Sequence, residues 1–297
     1  MATTKKTQTE TKQTFPTKLS WLPKKTFELE ITIPQEEVAK TYQQVLKETA
    51  AKTTVKGFRQ GKAPLDLVEK QLDKTHLYEH VANHLIPDSY DFAIDHHNLH
   101  PIVTPKIDLV SADLNKDWIV KATACEGPEV KLNNYKDKIK GIKAKNAIWT
   151  PEKAKKSEKE TKEVDINQIF EELLKTAEVE IADLLIERET NRMLSQLIDQ
   201  VNAMGMTVSQ YAQAQGKTEK QIRDNYEKSA TDGLKLEFIL NQIAVEEKLT
   251  VNEQEIDEFI KKAAEPGKPV PPQNAQQKVY LGIILKKQKT IDFLKVL

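Results

Sequence analysis

The sequence predicts an α+β domain followed by an all-helical one. Residues 26–33 alternate apolar and polar side chains at a period of two, and residues 102–110 and 117–126 carry further strand signals. From Val164 onward the apolar residues recur at helical spacing. The composition agrees, since 30% charged residues, 6% aromatic residues and only nine glycines favour long amphipathic helices over an all-β fold. A chain of 297 residues is long enough for two domains of ordinary size, each with its own core.

Residues 1–18, rich in Thr, Lys and Gln, lack the apolar centre of a signal peptide and are expected to form a disordered tail. In the strand at 26–33, Phe27, Leu29, Ile31 and Ile33 share the core face, and Pro34 ends it. A helix from Gln35 to about Thr53 follows, with Val38, Tyr42, Val45 and Leu46 as its apolar stripe. After a break, Leu65, Val68 and Leu72 mark a short helix with Pro64 in its first turn. Leu77, Val81 and Leu85 mark another, which Pro87 is expected to break or kink before Tyr90, Ala93 and Ile94 continue the buried face. Trp118, Val120, Ala122 and Ala124 then alternate along a strand. These elements make an α+β domain over 19–133.

Residues 134–162 are dense in lysine, interleaved with glutamate, and read as a linker. The helical domain occupies 163–297. Ile166, Ile169, Phe170, Leu173 and Leu174 form one stripe, and Leu184 through Val201 form the next, stopped at Gly205. A short helix ends at Gly216. Thr218 with Gln221 makes a capping box that opens a long helix, and Asn252 with Glu255 gives a similar start signal. Beyond the prolines at 266–272 a last helix runs from about Asn274.

The stretch Lys56-Gly57-Phe58-Arg59-Gln60-Gly61-Lys62-Ala63-Pro64 stands out between two helical patterns. Gly57 and Gly61 allow backbone angles closed to other residues. Arg59 and Lys62 can engage phosphates or carboxylates, and Phe58 belongs to no helical stripe, so it is free to insert into an apolar pocket or to stack. Read as pattern alone, this is either an exposed contact loop or a helix connection with solvated charges. The order Gly-Phe-Arg-x-Gly-Lys-x-Pro resembles the ribosome-docking signature of trigger factor, a family of bacterial chaperones. Gly127-Pro128-Glu129-Val130-Lys131-Leu132 resembles that family's exit from its N-terminal domain. The run from Glu180 to Glu189, then Gly216-Lys217-Thr218, Leu234 through Ala244, and Glu253 through Asp257, is similar to its C-terminal helical domain in the same order.

The resemblance implies a ribosome-binding α+β domain followed by a chaperone domain with helical arms. Gly57, Phe58, Arg59, Gly61, Lys62 and Pro64 would dock on the large ribosomal subunit at the tunnel exit, on protein and ribosomal RNA. Unfolded nascent polypeptides would be the clients, and a homodimer off the ribosome would accord with the family. Substrate-binding candidates are Met193, Leu197, Met204 and Met206, because methionine is flexible and polarizable, although stripes at this spacing also pack as ordinary core. The alternative is a ribosome-independent holdase or assembly factor for folded partners. Trigger factor typically carries a prolyl isomerase domain of the FK506-binding type between these parts. That β-rich fold needs glycine turns, and no glycine lies between Gly141 and Gly205, so the isomerase and its activity are expected to be missing.

Other chemistries find little support. Basic and acidic residues balance at 45 each, which argues against a general polyanion binder. The single cysteine, Cys125, excludes an internal disulfide and fits a reducing cytoplasm; it reads as a packed thiol rather than a nucleophile. His76, His80 and His84 share a helix face, and His76 to His80 formally matches H-x-x-E-H, but no further ligand supports a metal site. No phosphate-cradling glycine loop, nucleophile elbow or Cys-x-x-Cys pair occurs, so neither an enzyme nor a cofactor is expected.

Overall fold

The computed structural model describes residues 14–55, 58–72, 74–113, 115–147, 165–263 and 274–297. Its contacts divide the chain into two compact units, Met1–Gly127 and Pro128–Leu297.

The first unit is an antiparallel sheet backed by helices. Strands β1 (Thr17–Leu22), β2 (Thr26–Ile33), β3 (Lys106–Ser111) and β4 (Trp118–Cys125) lie in the order β1-β2-β4-β3. The register pairs Leu29 with Ala122 and Ile31 with Val120, so the alternating apolar residues of both central strands fall on one face and are all buried. Helix α1 (Gln35–Lys52), short helix α2 (Leu65–Gln71) and helix α3 (Lys74–His97) follow β2. Val38, Tyr42, Val45 and Leu46 of α1 and Leu77, Val81, Leu85 and Ala93 of α3 close the core over that face. Tyr78 stacks on Trp118, whose indole N–H donates to the Asp113 carbonyl. Pro34 caps α1 without a side-chain acceptor of its own, and Asp117, arriving from the start of β4, accepts from the Gln35 N–H at 2.9 Å instead.

Two expectations for this unit are corrected. The tail assigned to 1–18 contains the start of an edge strand: Thr17 pairs with Ile31 in β1, and Phe15 is buried edge-on against Phe92. Residues 1–13 lie outside the described residues. The β1–β2 hairpin lacks the usual turn signal, because its three-residue connection Pro23-Lys24-Lys25 holds Lys24 and Lys25 at φ 59° and 56°, where glycine or asparagine is ordinarily found. Pro87, expected to break or kink a helix, does not break it and lies inside α3. The carbonyl that loses its donor belongs to Asn83, on the exposed side with Pro87, while Leu85, Tyr90 and Ala93 keep the helix packed on the sheet.

In the second unit, helices α4 (Tyr135–Ala147), α5 (Ile166–Thr176), α6 (Asp183–Ala203), α7 (Val208–Ala214), α8 (Glu219–Glu246), α9 (Glu253–Ala263) and α10 (Ala275–Val296) are joined by a two-stranded ribbon of β5 (Val130–Lys131) and β6 (Glu178–Val179). Helix α8, about 42 Å long at 1.5 Å per residue, runs through two separate cores. Its C-terminal half packs Ile239, Leu240 and Ile243 with Leu132, Tyr135, Ile139, Ile169, Leu173 and Leu294. Its N-terminal half packs Ile222 with Leu197, Val201 and Ala212 at the far end of α6. Capping boxes open α7, α8 and α10 at Thr207, Thr218 and Asn274, and Asn252 and Glu255 exchange the same pair of bonds ahead of α9.

The lysine-rich linker assigned to 134–162 begins as structure. Tyr135 and Ile139, one turn apart, bury together against α5 and α8, which is why 135–147 is helical and why the contact boundary falls at Gly127 rather than after residue 133. Residues 148–162 lie outside the described residues. Among the described residues no helix is long and apolar enough to cross a membrane.

Glu247, just past α8, ties α4 down by accepting from the Tyr135 hydroxyl at 3.0 Å and pairing with Lys136 at 2.6 Å. Lys136, then Tyr135, hold its carboxyl below the usual carboxylate range. A depressed folded-state pKa stabilises above the unfolded value and is lost as pH falls through the folded one. Glu247→Gln should therefore cost about 1 kcal/mol near neutral pH, with the gap to the native chain closing as acid protonates the carboxylate. Urea unfolding at several pH values reads this directly.

Candidate functional site

The loop between α1 and α2 is held from inside. Val55, two residues past the α1 C-cap, is buried with Ala50 of α1 and Val68 of α2, and Ala63, Leu65 and Leu72 pack around them. This small cluster is separate from the main core and clamps both ends of the loop. The last turn of α1 is closed by the Thr53 N–H and hydroxyl, which both reach the Thr49 carbonyl, and by Gln60, whose side-chain amide donates to the Lys52 carbonyl at 3.0 Å. Tyr42 fastens α2 to α1 by donating to Glu69 at 2.6 Å, and burial, then that bond, pushes its phenol well above the usual tyrosine range.

Over this base the loop makes two tight turns. The Phe58 N–H returns to the Val55 carbonyl, and the Lys62 N–H to the Arg59 carbonyl at 2.9 Å. Gly61, third in the second turn, has φ +74°, and a Cβ there would sit 3.1 Å from the Ala51 carbonyl oxygen. Both the backbone angle and the close approach to α1 therefore require glycine. Pro64 is placed one residue earlier than expected: with φ −56° it is the N-cap of α2, and its carbonyl accepts from Leu67 and Val68. Lys56 and Gly57 lie outside the described residues.

The product is a packed, hydrogen-bonded base with an exposed rim. Phe58 is 41% exposed, and Arg59, Gln60 and Lys62 are exposed beside it. Among the described residues neither Arg59 nor Lys62 has a carboxylate partner. Two residues escaped the sequence reading. Gln60 fills the variable place in the motif yet pins the loop to α1. Leu67 is an exposed apolar side chain on α2, off the Leu65–Val68–Leu72 stripe, and that mismatch was its only signal.

The methionine candidates separate. Leu197 is buried in the α6–α7–α8 core and is structural, which removes it from a client-facing set; Met206 packs half-buried on the same cluster. Met193 is partly covered, and Met204, at the C-cap of α6, is 58% exposed. His76, His80 and His84 are exposed along α3, with His76 facing Glu79 at 3.2 Å. No group of three metal-ligating side chains gathers among the described residues. Cys125 is fully buried.

The family model described as bacterial trigger factor protein (TF) matches residues 17–173, and that described as bacterial trigger factor protein (TF) C-terminus matches 149–295. Trigger factor of Streptococcus pneumoniae (strain Hungary19A-6) is 28% identical over 158 residues, 53% of this chain and 36% of that protein. Trigger factor of Staphylococcus aureus (strain JH9) is 36% identical over 108 residues, 36% of this chain and 25% of that protein. The matches thus span between a quarter and little more than a third of the length of these curated relatives. A solved structure described under "Promiscuous Substrate Recognition in Folding and Assembly Activities of the Trigger Factor Chaperone" aligns with a TM-score of 0.65 over 94% of this chain and 99% of that one, at 14% identity, a likeness of fold.

The geometry makes Gly61 the sensitive position of the loop. Gly61→Ala should destabilise the first unit by about 1–2 kcal/mol through strain and contact with α1. Gln60→Ala should cost less, about 0.5–1 kcal/mol for one exposed hydrogen bond. Thermal and urea unfolding of the two variants give the comparison.

Proposed function

This chain belongs to the trigger factor family, and from that premise we propose that it is an ATP-independent cytoplasmic chaperone that docks at the ribosomal tunnel exit and shields emerging polypeptides. One observation carries the reading: Phe58 stands exposed beside two cations without carboxylate partners, on a turn braced by Val55, Gln60 and Gly61. A braced loop loses little entropy on binding, so an aromatic anchor flanked by cations can be used at full strength against a partner with an apolar pocket and acidic or phosphate groups. Phe58 supplies the anchor, Arg59 and Lys62 the charge complement, Gly57 and Gly61 the turn, and Pro64 the entry into α2. Protein and ribosomal RNA at the tunnel exit both offer that chemistry.

The N-terminal family match continues to residue 173 and the C-terminal one begins at 149, and no glycine falls between Gly141 and Gly205. Both facts support a chaperone that works without an inserted prolyl isomerase. On this reading the refolding of a proline-limited protein proceeds in its presence at the uncatalysed rate, tens to hundreds of seconds; acceleration in stoichiometric traces would contradict it.

The docking assignment is tested by co-sedimentation with ribosomes. Replacing Phe58, Arg59 and Lys62 together by alanine should remove most of the pelleted protein while leaving the fold intact, because all three side chains are exposed. The native interaction should weaken as salt rises from 0.05 to 0.5 M, on the order expected for screened charges. Equal pelleting of variant and native protein would overturn the assignment. Suppression of aggregation without any pelleting would favour a ribosome-independent holdase.

A further inference from the structure

Helix α3 concentrates imidazoles and negative charge. After Lys74 it holds no lysine or arginine, while Glu79, Asp88, Asp91 and Asp95 supply four carboxylates. In a chain whose charges balance overall, this helix is a local attractor for cations. His76, His80 and His84 recur on it at every fourth position, and each directly precedes a buried core residue, Leu77, Val81 or Leu85. The core contacts fix which way the helix faces, and the three imidazoles are left exposed along one line.

The spacing is that of a metal clamp. Side chains one turn apart have Cβ atoms about 5–6 Å from each other, which lets two imidazole nitrogens converge on one ion at about 2.0–2.1 Å. Glu79 supplies a second, independent sign. Its carboxylate lies 3.2 Å from His76 Nδ1, where metal-bound histidines keep an orienting acceptor. Held by that acceptor, the neutral ring carries its proton on Nδ1 and leaves the Nε2 lone pair for an ion. His80 and His84 form no hydrogen bond or ion pair among the described residues. Two of the remaining imidazoles are engaged elsewhere: His96 stacks on Phe92, and His97 shares a hydrogen bond with the Thr17 hydroxyl at 2.9 Å.

We propose that His76 and His80 bind a divalent ion of the zinc type, with Glu79 orienting His76 and with His84 as the alternative partner of His80. Imidazole suits zinc, nickel and copper, whereas magnesium and calcium prefer oxygen ligands. No third side chain of the described residues converges on the pair, so solvent completes the coordination and the site is a staple rather than a hydrolytic centre. The ion ties the first turns of α3 together ahead of Pro87, where the helix has lost one backbone bond, and so secures Leu77 and Val81 in the core of the first unit. This role is separate from ribosome docking and from client binding.

The test is isothermal titration of the untagged full chain with Zn2+, with Mg2+ as the control ion. The native protein should bind a single Zn2+, because both pairs share His80, and should not bind Mg2+ at the same micromolar concentrations. His80→Gln should weaken Zn2+ binding at least about tenfold. His76→Gln and Glu79→Gln should each weaken it less, because the His80–His84 pair remains. A chain carrying His96→Gln with His100→Gln should bind as the native one does. All the substituted side chains are exposed, so circular dichroism should be unchanged. Saturating Zn2+ should raise the unfolding temperature of the native chain and leave that of His80→Gln where it was. No Zn2+ binding by the native chain, equal affinity for Mg2+, or an equal rise in unfolding temperature for both chains would overturn the proposal. Undiminished binding by His80→Gln would place the ion on other donors and overturn it as well.

Discussion

The burial of Val55 between Ala50 and Val68 is the contact on which the exposed α1–α2 loop, the proposed docking surface, depends. A loop that offers an aromatic ring to solvent would gain by folding the ring inward if an apolar hollow lay beneath it. Val55 fills that hollow, with Ala63, Leu65 and Leu72 around it, so Phe58 has nowhere to retreat. Burying one valine is worth roughly 1.5–3 kcal/mol, whereas fixing each loop residue costs about 1–2 kcal/mol. The clamp alone cannot order the loop. The turn at Arg59–Lys62, the Gln60 bond to α1 and the Tyr42–Glu69 bond between α1 and α2 supply the remainder, and all of them act on the same few residues.

The helical unit follows a different economy. Helix α8 serves two cores, one near each end, and each holds a bundle of neighbours in place. Among the described residues, the paired helices α9 and α10 have no fully buried apolar side chain before Leu294. They are joined chiefly by ion pairs at Lys278 and Lys289 and by the close approach at Gly282. An arm fastened by charges at its margins can leave its apolar side chains uncommitted, which a holdase needs and an ordinary packed helix pair does not. The first arm, α6 with α7 and the start of α8, buries Leu197 and Val201 and keeps little apolar surface free apart from Ile198 and Met204.

Much of this was legible in the sequence where one face of an element is buried. The alternation at 26–33 and 117–126, the stripe of α1, and the capping residues Thr218 and Asn252 all appear where their spacing places them. The failures share a cause, which is that tertiary packing supplied what local pattern lacked. Strand β1 is an edge whose outer face carries Lys18, Ser20 and Leu22, and its turn uses two lysines in a glycine-like conformation. Helix α4 carries five lysines in its 13 residues, and among the described side chains Tyr135 and Ile139 commit it to a core. Pro87 lies with Asn83, whose carbonyl it leaves without a helical donor, on the exposed side of α3. In the site, the order of residues marked Phe58, Arg59 and Lys62 but not the brace beneath them. The flexibility of methionine made Met193, Met204 and Met206 candidates while helical spacing favoured core; the apolar run of α10, largely exposed, reads in sequence like any buried helix.

A cryo-electron microscopy map of this chain on a ribosome stalled with a nascent polypeptide tests the central claim most directly. The account predicts density for the α1–α2 turn, with Phe58 and the Arg59–Lys62 cations, in contact with the large subunit beside the tunnel exit. A chain bound elsewhere on the ribosome, or held at the exit with that turn facing solvent, would contradict it.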